Sequence, residues 1–171
     1  MDWSKAKSVL IIALLAVCLL LSGILLEGKL ADSKKEKIAI EETKEYIKSI
    51  GAELSTEIPL DRPSLPVIFV EYDEKAEGLT YKDYKVYAGA KEASGYSLSK
   101  EGESSAKVIP AHIALLQAVS NAENKTEITS IELVYYIDTS VYSGSPNSDT
   151  AIPAWRVETS NGTYYVNAYA Q

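Results

Sequence analysis

The chain has 171 residues, which is enough for one ordinary domain or two very small ones. It carries 17 Lys and Arg against 24 Asp and Glu, and the net charge of -7 argues against a nucleic-acid-binding surface, which needs an excess of positive charge. A single Cys excludes an intrachain disulfide framework, and a single His excludes a multi-histidine metal site.

The N-terminal part of the chain is far more apolar than the remainder. After a short tail at 1–7, residues 8–26 form a run of 19 residues without a charge. As a helix this run is about 28 Å long, close to the thickness of the hydrocarbon core of a bilayer. A cleaved signal peptide is the alternative, but its apolar core is shorter and ends in a small-x-small site that this stretch lacks. The sequence therefore predicts an uncleaved transmembrane helix over 8–26.

Lysines lie on both sides of the predicted span, so the charge distribution alone does not decide its orientation. The short tail and the long remainder favour a cytoplasmic N-terminus and an extracytoplasmic domain over 27–171. Within the span, Ala13, Ala16, Leu20 and Gly23 fall on one helical stripe. Small residues let a second helix approach closely, so the stripe is a candidate transmembrane contact. The alternative is an ordinary lipid-facing surface without a specific partner.

Helix and strand patterns alternate through the soluble part of the chain. A capping-box pattern at Ser33–Glu36 and an apolar face that continues to Ile50 predict a first helix, with Gly51 as its C-terminal stop. The patterns that follow predict a loop at 59–66, strands at 67–72, 81–88 and 95–99, and a polar linker at 101–107.

A second set of elements follows the polar linker. Pro110 favours the first turn of a second helix. The residues of this helix that we expect to face inward are Ile113, Leu115, Leu116 and Val119. Alternating apolar and polar residues over 128–142 predict a strand, and Asn161-Gly162 predicts a hairpin between strands at 154–159 and 163–169.

The order helix–strand–strand–strand thus occurs twice, over 33–100 and over 108–171, with little residue identity between the two halves. The sequence predicts an α+β fold in which helices pack on an antiparallel sheet. Whether the ectodomain over 27–171 is one domain or two stays open at this point.

No pattern in the chain predicts catalysis. The sole imidazole, His112, lies near the predicted start of the second helix, and the chain has no nucleophile elbow, phosphate-binding loop or zinc-protease motif. Adjacent acids such as Glu41-Glu42 are more typical of a solvated face than of a catalytic pair. We therefore expect a protein that is not an enzyme and that needs no cofactor or metal.

Trp155 and Arg156 stand out near the C-terminal end of the chain. We expect Trp155 to pack in the core, because buried aromatic side chains dominate core energetics. Arg156 is one of two arginines in the chain, and we expect it to point outward and pair with an acid. A contact with a bound peptide is the alternative for this pair.

Two blocks of sequence resemble the YycI family. The string Asp2-Trp3-Ser4-Lys5-Ala6-Lys7, followed directly by an aliphatic span, is similar to the start of YycI proteins. Pro153-Ala154-Trp155-Arg156-Val157 and the later Tyr164-Tyr165-Val166-Asn167-Ala168 are similar to their C-terminal end. This resemblance makes Pro153, Trp155, Arg156, Tyr165 and Asn167 the candidate motif residues of the ectodomain. The second block also resembles the last hairpin of PepSY-type domains.

The resemblance implies a non-enzymatic, single-pass membrane protein of a Gram-positive bacterium, with its C-terminal domain outside the cell. YycI proteins, together with the related YycH, associate with the sensor histidine kinase WalK of a cell-wall two-component system and adjust its signalling to the response regulator WalR. The implied partners are therefore a WalK-like kinase, a YycH-like regulator and the membrane. The chain is shorter than typical members, and Cys18 stands where a polar residue is common in the span. A PepSY-like binding module that inhibits a surface peptidase or wall hydrolase is the alternative function.

Overall fold

The computed structural model describes residues 14, 17–18, 33–120, 126–137 and 148–169. The chain divides into two compact units, Met1–Glu42 and Thr43–Gln171. In the first unit, the described residues are helical at 14, at 17–18 and from 33 onward.

Most of the predicted transmembrane segment falls outside the described residues. The tail at 1–7 also lies outside the described residues, as do the four stripe residues Ala13, Ala16, Leu20 and Gly23. The part of the chain that the structure describes contains no helix with the length and apolar character needed to cross a bilayer.

The described part of helix α1 covers residues 33–49, and a glycine fixes the C-terminal end of the helix. Gly51 has a φ of 78°, a conformation that glycine adopts without steric cost. The Gly51 amide donates to the Lys48 carbonyl at 3.1 Å, and the Ala52 amide donates to the Ile47 carbonyl at 3.1 Å. These two bonds are the Schellman pairing that satisfies the last carbonyls of a helix. The predicted stop at Gly51 is confirmed.

The second unit contains, among its described residues, nine strands and a second helix. They are β1 (Glu53–Leu54), β2 (Ser64–Tyr72), β3 (Thr80–Tyr81), β4 (Tyr84–Ala88), β5 (Lys91–Glu92), β6 (Tyr96–Lys107), α2 (Ala111–Ser120), β7 (Glu127–Ile137), β8 (Ser148–Thr159) and β9 (Gly162–Asn167). The sheet order is β3-β4-β7-β8-β2-β6, with β1 beside β7, β5 beside β4 and β9 beside β8.

The fold is α+β, as the sequence predicts. The sheet is mixed rather than wholly antiparallel, because β1 and β4 both run parallel to β7. The remaining pairings between described strands are antiparallel. Strands from 33–100 and from 108–171 share this sheet, since β2 pairs with β8 and β4 pairs with β7.

Strand β8 lies at the centre of the sheet and helps to close it. Along one side of β8, its first residues pair with β2 and its later residues pair with β9. Along the other side, β8 pairs with β7. Directly after β6, Val108 bridges to Tyr169, and the Val108 amide donates to the Pro63 carbonyl at 3.1 Å. Main-chain pairing thus connects β8 to β9, the residue pair Tyr169 and Val108 connects the end of β9 to the end of β6, and β6 pairs with β2. Since β2 pairs with β8, the path returns to its starting strand. This path gives the sheet a barrel-like closure.

The buried face of the sheet carries the largest apolar side chains. Tyr135 is fully buried, and its hydroxyl donates to the Pro66 carbonyl at 2.9 Å, which links β7 to β2 across β8. The ring of Tyr81 meets Tyr135 edge-on, with 5.3 Å between the ring centres. Burial raises the pKa of Tyr135, so the hydroxyl keeps its proton and remains a donor.

Helix α2 packs against β8 and β9, but through a different face from the predicted one. Leu115 and Val119 are buried as expected, whereas Ile113 is 38% exposed and Leu116 is only half-buried. The rest of the buried face consists of Ala111, His112, Ala114 and Ala118. The prediction favoured the large aliphatic residues, but small alanines let the helix lie closer to the sheet.

Three strand predictions in the first half need correction. Residues 64–66 belong to β2 and pair with β6 instead of forming a loop. The predicted strand at 81–88 is two strands, because the chain turns at Lys82, which has a φ of 53°. The predicted linker at 101–107 is the second half of β6. Its polar composition reflects the exposed side chains of a strand at the sheet edge rather than an absence of pairing.

The second half of the sheet follows the prediction more closely. Strand β7 ends at Ile137 in the described residues, and 138–142 lie outside them. Strand β8 begins at Ser148, six residues before the predicted start. The hairpin between β8 and β9 is confirmed. Because Thr159 pairs with Gly162, the two turn residues are Ser160 and Asn161, one position earlier than the predicted Asn161-Gly162.

Gly102 lies where an irregular part of β6 approaches β2 closely. A Cβ atom on Gly102 would be 2.8 Å from the Val67 carbonyl oxygen, and backbone atoms cannot move aside cheaply. We expect Gly102→Ala to lower the free energy of unfolding by about 1–3 kcal/mol, the usual cost of overpacking. Urea unfolding followed by circular dichroism measures this change. Gly78→Ala is the matched control, because its Cβ would meet no atom within 4 Å; equal stability of both variants would contradict the close approach.

Candidate functional site

The β8–β9 hairpin brings the C-terminal motif residues together. Arg156 lies opposite Tyr165, and Ala154 lies opposite Asn167. Partners across antiparallel strands point to the same face, and successive residues point to opposite faces. Arg156, Tyr165 and Asn167 therefore share one face, while Pro153 and Trp155 point to the other.

Trp155 lies in the core and connects the sheet to the start of α2. The side chain is 1% exposed, and its Nε1 donates to the Ile109 carbonyl at 2.9 Å. Ile109 lies two residues before α2 and donates its own amide to the Ala168 carbonyl at 2.8 Å. The expectation that Trp155 packs in the core is confirmed, and the bond to Ile109 shows what its indole nitrogen does there.

Arg156 lies on the opposite face, between two carboxylates and an aromatic ring. Its Nη1 donates to Glu132 of β7, and its Nη2 donates to Glu158 of β8. Its guanidinium carbon lies 4.7 Å from the centre of the Tyr87 ring, within the range of a cation–π contact. The Arg156 side chain is 14% exposed, whereas Glu132 and Glu158 are 39% and 38% exposed. The predicted pairing of Arg156 with an acid is confirmed, and it involves two acids.

Tyrosine rings complete this cluster. Tyr136 and Tyr165 stack with 4.3 Å between ring centres, and Tyr87 lies 6.0 Å from Tyr165. The Arg156 Nε and the Tyr165 hydroxyl are buried without a hydrogen-bond partner among the described residues. We call Glu132, Tyr136, Arg156, Glu158 and Tyr165 the tyrosine–glutamate surface.

The protonation states of the tyrosine–glutamate surface follow from its geometry. Burial lowers the pKa of Arg156, but the contacts that stabilise its charge, led by the hydrogen bond to the Glu132 carboxylate, together outweigh burial and raise the pKa above its ordinary value. Burial raises the pKa of Tyr165, and the nearby Arg156 cation opposes that increase. At neutral pH the guanidinium is therefore charged and the tyrosine is neutral. Within the five residues of this surface, one guanidinium lies beside two carboxylates, and the Lys85 ammonium adds a longer-range attraction to Glu132.

The charge of the whole chain is concentrated in the unit that carries this surface. Residues 1–42 contain 6 Lys or Arg and 6 Asp or Glu, so they are neutral overall. Residues 43–171 contain 11 Lys or Arg and 18 Asp or Glu, which gives the full net charge of -7. The second unit is therefore the acidic part of the chain.

A groove of about 320 Å³ lies where the end of β9 meets α2. Its lining residues are Ile109, Ile113, Gln117, Asn167 and Tyr169. The Asn167 Oδ1 accepts a hydrogen bond from the Tyr169 amide at 2.9 Å, which fixes the orientation of the Asn167 amide group. Asn167 therefore lines the groove, whereas Arg156 and Tyr165 belong to the tyrosine–glutamate surface, although all three lie on one hairpin.

The sequence predictions missed several residues of the tyrosine–glutamate surface. Glu132 and Tyr136 share one face because β7 alternates with a period of two, so the alternation over 128–142 could have identified them. Tyr87 could not be found in this way, since it reaches the surface through the parallel pairing of β4 with β7. Non-local pairing of this kind leaves no short-range signal.

Comparisons with protein-family models and with curated proteins give no match for the chain. The resemblance of its two ends to YycI proteins therefore stays a prediction.

Within 33–120, 126–137 and 148–169, no three His, Cys, Asp or Glu side chains lie together in a way that could hold a metal ion. His112 is buried within α2.

Proposed function

We propose that this chain is a non-catalytic, single-pass membrane regulator that associates with a sensor histidine kinase of a cell-wall two-component system, as YycI proteins do. The N-terminus is cytoplasmic, and residues 27–171 lie outside the cell. One observation carries the proposal: the Asp2–Lys7 string leads directly into 19 uncharged residues at 8–26, long enough to span a bilayer.

In this proposal, the span and the ectodomain each make a separate contact with the signalling complex. The span contacts the transmembrane helices of the kinase, and the ectodomain docks onto the kinase's extracytoplasmic domain or onto a YycH-like regulator. Preferential binding to one signalling state shifts the kinase equilibrium, and a difference of about 1–3 kcal/mol changes the ratio of states roughly 5–150-fold. The partly exposed charges and rings of the tyrosine–glutamate surface support a role for the ectodomain in protein binding.

The stripe of small residues provides a direct test of the span. We expect Ala16→Ile combined with Gly23→Ile to lower co-purification with the kinase roughly tenfold, since contacts between membrane helices contribute about 1–2 kcal/mol. Quantitative mass spectrometry of affinity-purified membranes measures the recovery.

The matched control for the stripe is Leu14→Ile combined with Leu25→Ile, which introduces the same residue on the other side of the predicted helix. This control should leave recovery unchanged. Equal recovery of the kinase with both double variants would show that the stripe is not the contact.

A second candidate function is a PepSY-like module that binds and inhibits a surface peptidase or wall hydrolase. The observation that favours it is the groove between α2 and the end of β9, which combines apolar walls with the amide group of Asn167. Extended peptide segments offer apolar side chains next to main-chain hydrogen-bonding groups, so they suit such walls. In this case the ectodomain acts independently of its membrane helix.

A further inference from the structure

We propose that the tyrosine–glutamate surface binds a Lys or Arg side chain presented by an extended segment of the kinase's extracytoplasmic domain. This inference rests on the proposed function, because it names the surface through which the ectodomain docks. The ligand group is a cation flanked by polypeptide, and the contacts are ion pairs and cation–π interactions.

The carboxylates of the surface have capacity for a second cation. Arg156 contacts only the Oε1 atom of Glu132 and the Oε1 atom of Glu158. Both glutamate side chains are more than one-third exposed, so an incoming ammonium or guanidinium group can reach them. Hydrogen bonds between ionised groups are the strong ones, and arginine favours such carboxylates.

The stacked tyrosines add an aromatic platform beside these carboxylates. Tyr136 and Tyr165 lie nearly parallel, with 21° between their ring planes, and both are partly exposed. A cation above such a ring is attracted by the negative face of the π system. Arg156 already makes this kind of contact with Tyr87 on the same face. The partner's cation would make the same kind of contact with the exposed part of the Tyr136 or Tyr165 ring.

Arg156 has a positioning role in this proposal. By bridging strands β7 and β8 it holds both carboxylates in place before the partner arrives. Fixed acceptors lose little conformational freedom on binding, which favours affinity. The acidic charge of residues 43–171 attracts a basic segment over a longer range, so binding should weaken as salt concentration rises.

The test uses the full chain in lipid nanodiscs and two readouts. The first is fluorescence anisotropy with a labelled ten-residue peptide in which Arg alternates with Ser; the same peptide with Gln in place of Arg is the blank. The second is co-purification of the kinase. The variant is Glu132→Gln combined with Glu158→Gln, and Tyr136→Leu is an independent variant that changes no charge.

We expect the Arg peptide to bind about tenfold more weakly to the double glutamine variant, given the contributions of ion pairs and cation–π contacts. Tyr136→Leu should weaken binding several-fold as well. The matched control, Glu101→Gln combined with Glu103→Gln, removes the same charge from exposed positions of β6 and should change binding by less than about twofold. Far-UV circular dichroism verifies that each variant is folded.

The two readouts separate this inference from the proposed function. Equal peptide binding by the native chain, the double glutamine variant and Tyr136→Leu would overturn the surface, and the regulator proposal would stand if the kinase still co-purified. Peptide binding that depends on Glu132 and Glu158 without any recovery of the kinase would support the surface as a cation site and overturn the kinase as its partner.

Discussion

Trp155→Ala is expected to lower the free energy of unfolding by about 3–5 kcal/mol, the usual cost of removing a fully buried tryptophan. The side chain is 1% exposed at the centre of β8, so its removal leaves a cavity that the surrounding strands cannot fill. The change also deprives the Ile109 carbonyl of its indole donor. Since that bond ties the start of α2 to the sheet, the helix loses an anchor as well as a packing partner.

Urea unfolding, followed by far-UV circular dichroism, measures this loss without relying on tryptophan fluorescence. Trp155→Phe is the matched control, because it keeps most of the buried apolar area while it removes the indole N–H that donates to Ile109. We expect it to cost about 1–3 kcal/mol, including the unsatisfied carbonyl. A loss below about 1 kcal/mol in Trp155→Ala would contradict the central packing role of this residue.

Arg156→Leu is the second change with a large expected effect. It removes the cation that lies between Glu132 and Glu158, which leaves two carboxylates close together on adjacent strands. Removing one partner of a fully buried ion pair costs about 3–5 kcal/mol, but these carboxylates are partly exposed. We therefore expect a loss of about 1–3 kcal/mol, which solvent screening keeps below the fully buried value.

Salt and a conservative substitution distinguish this electrostatic effect from a loss of packing. Added NaCl should recover part of the stability of Arg156→Leu, because it screens the repulsion between the two carboxylates. Arg156→Lys keeps the charge but lacks the planar fork that reaches both acids, so its stability should lie between the native chain and Arg156→Leu. Equal stability of the two variants at every salt concentration would show that the charge of Arg156 does not stabilise the fold.

Elements with strong local signals could be predicted from the sequence. Gly51 ends α1 because a left-handed residue is needed there, and the hairpin near Asn161-Gly162 forms because turn residues separate two apolar runs. The α+β class followed from these elements together. Each of these signals depends only on residues that are close in sequence.

Features that depend on non-local pairing could not be predicted. Strand β6 is polar throughout its second half, and it is a strand because β2 provides a hydrogen-bonding partner. The parallel pairing of β4 with β7 brings Tyr87 against Arg156 from a distant part of the chain. The sequence predicted an acid for Arg156, but only the register of β7 against β8 identifies Glu132 as one of the two.

The measurement that tests the regulator proposal most directly is a membrane pull-down of the full chain, compared with a chimera in which an unrelated membrane helix replaces residues 8–26. Mass spectrometry identifies the bound proteins in both samples. If the proposal is right, the native chain recovers a sensor histidine kinase and the chimera loses most of it, because the proposed regulator contacts the kinase partly through its span. Recovery of a peptidase or wall hydrolase with both proteins, and of no kinase with either, would contradict the account and favour the inhibitor function.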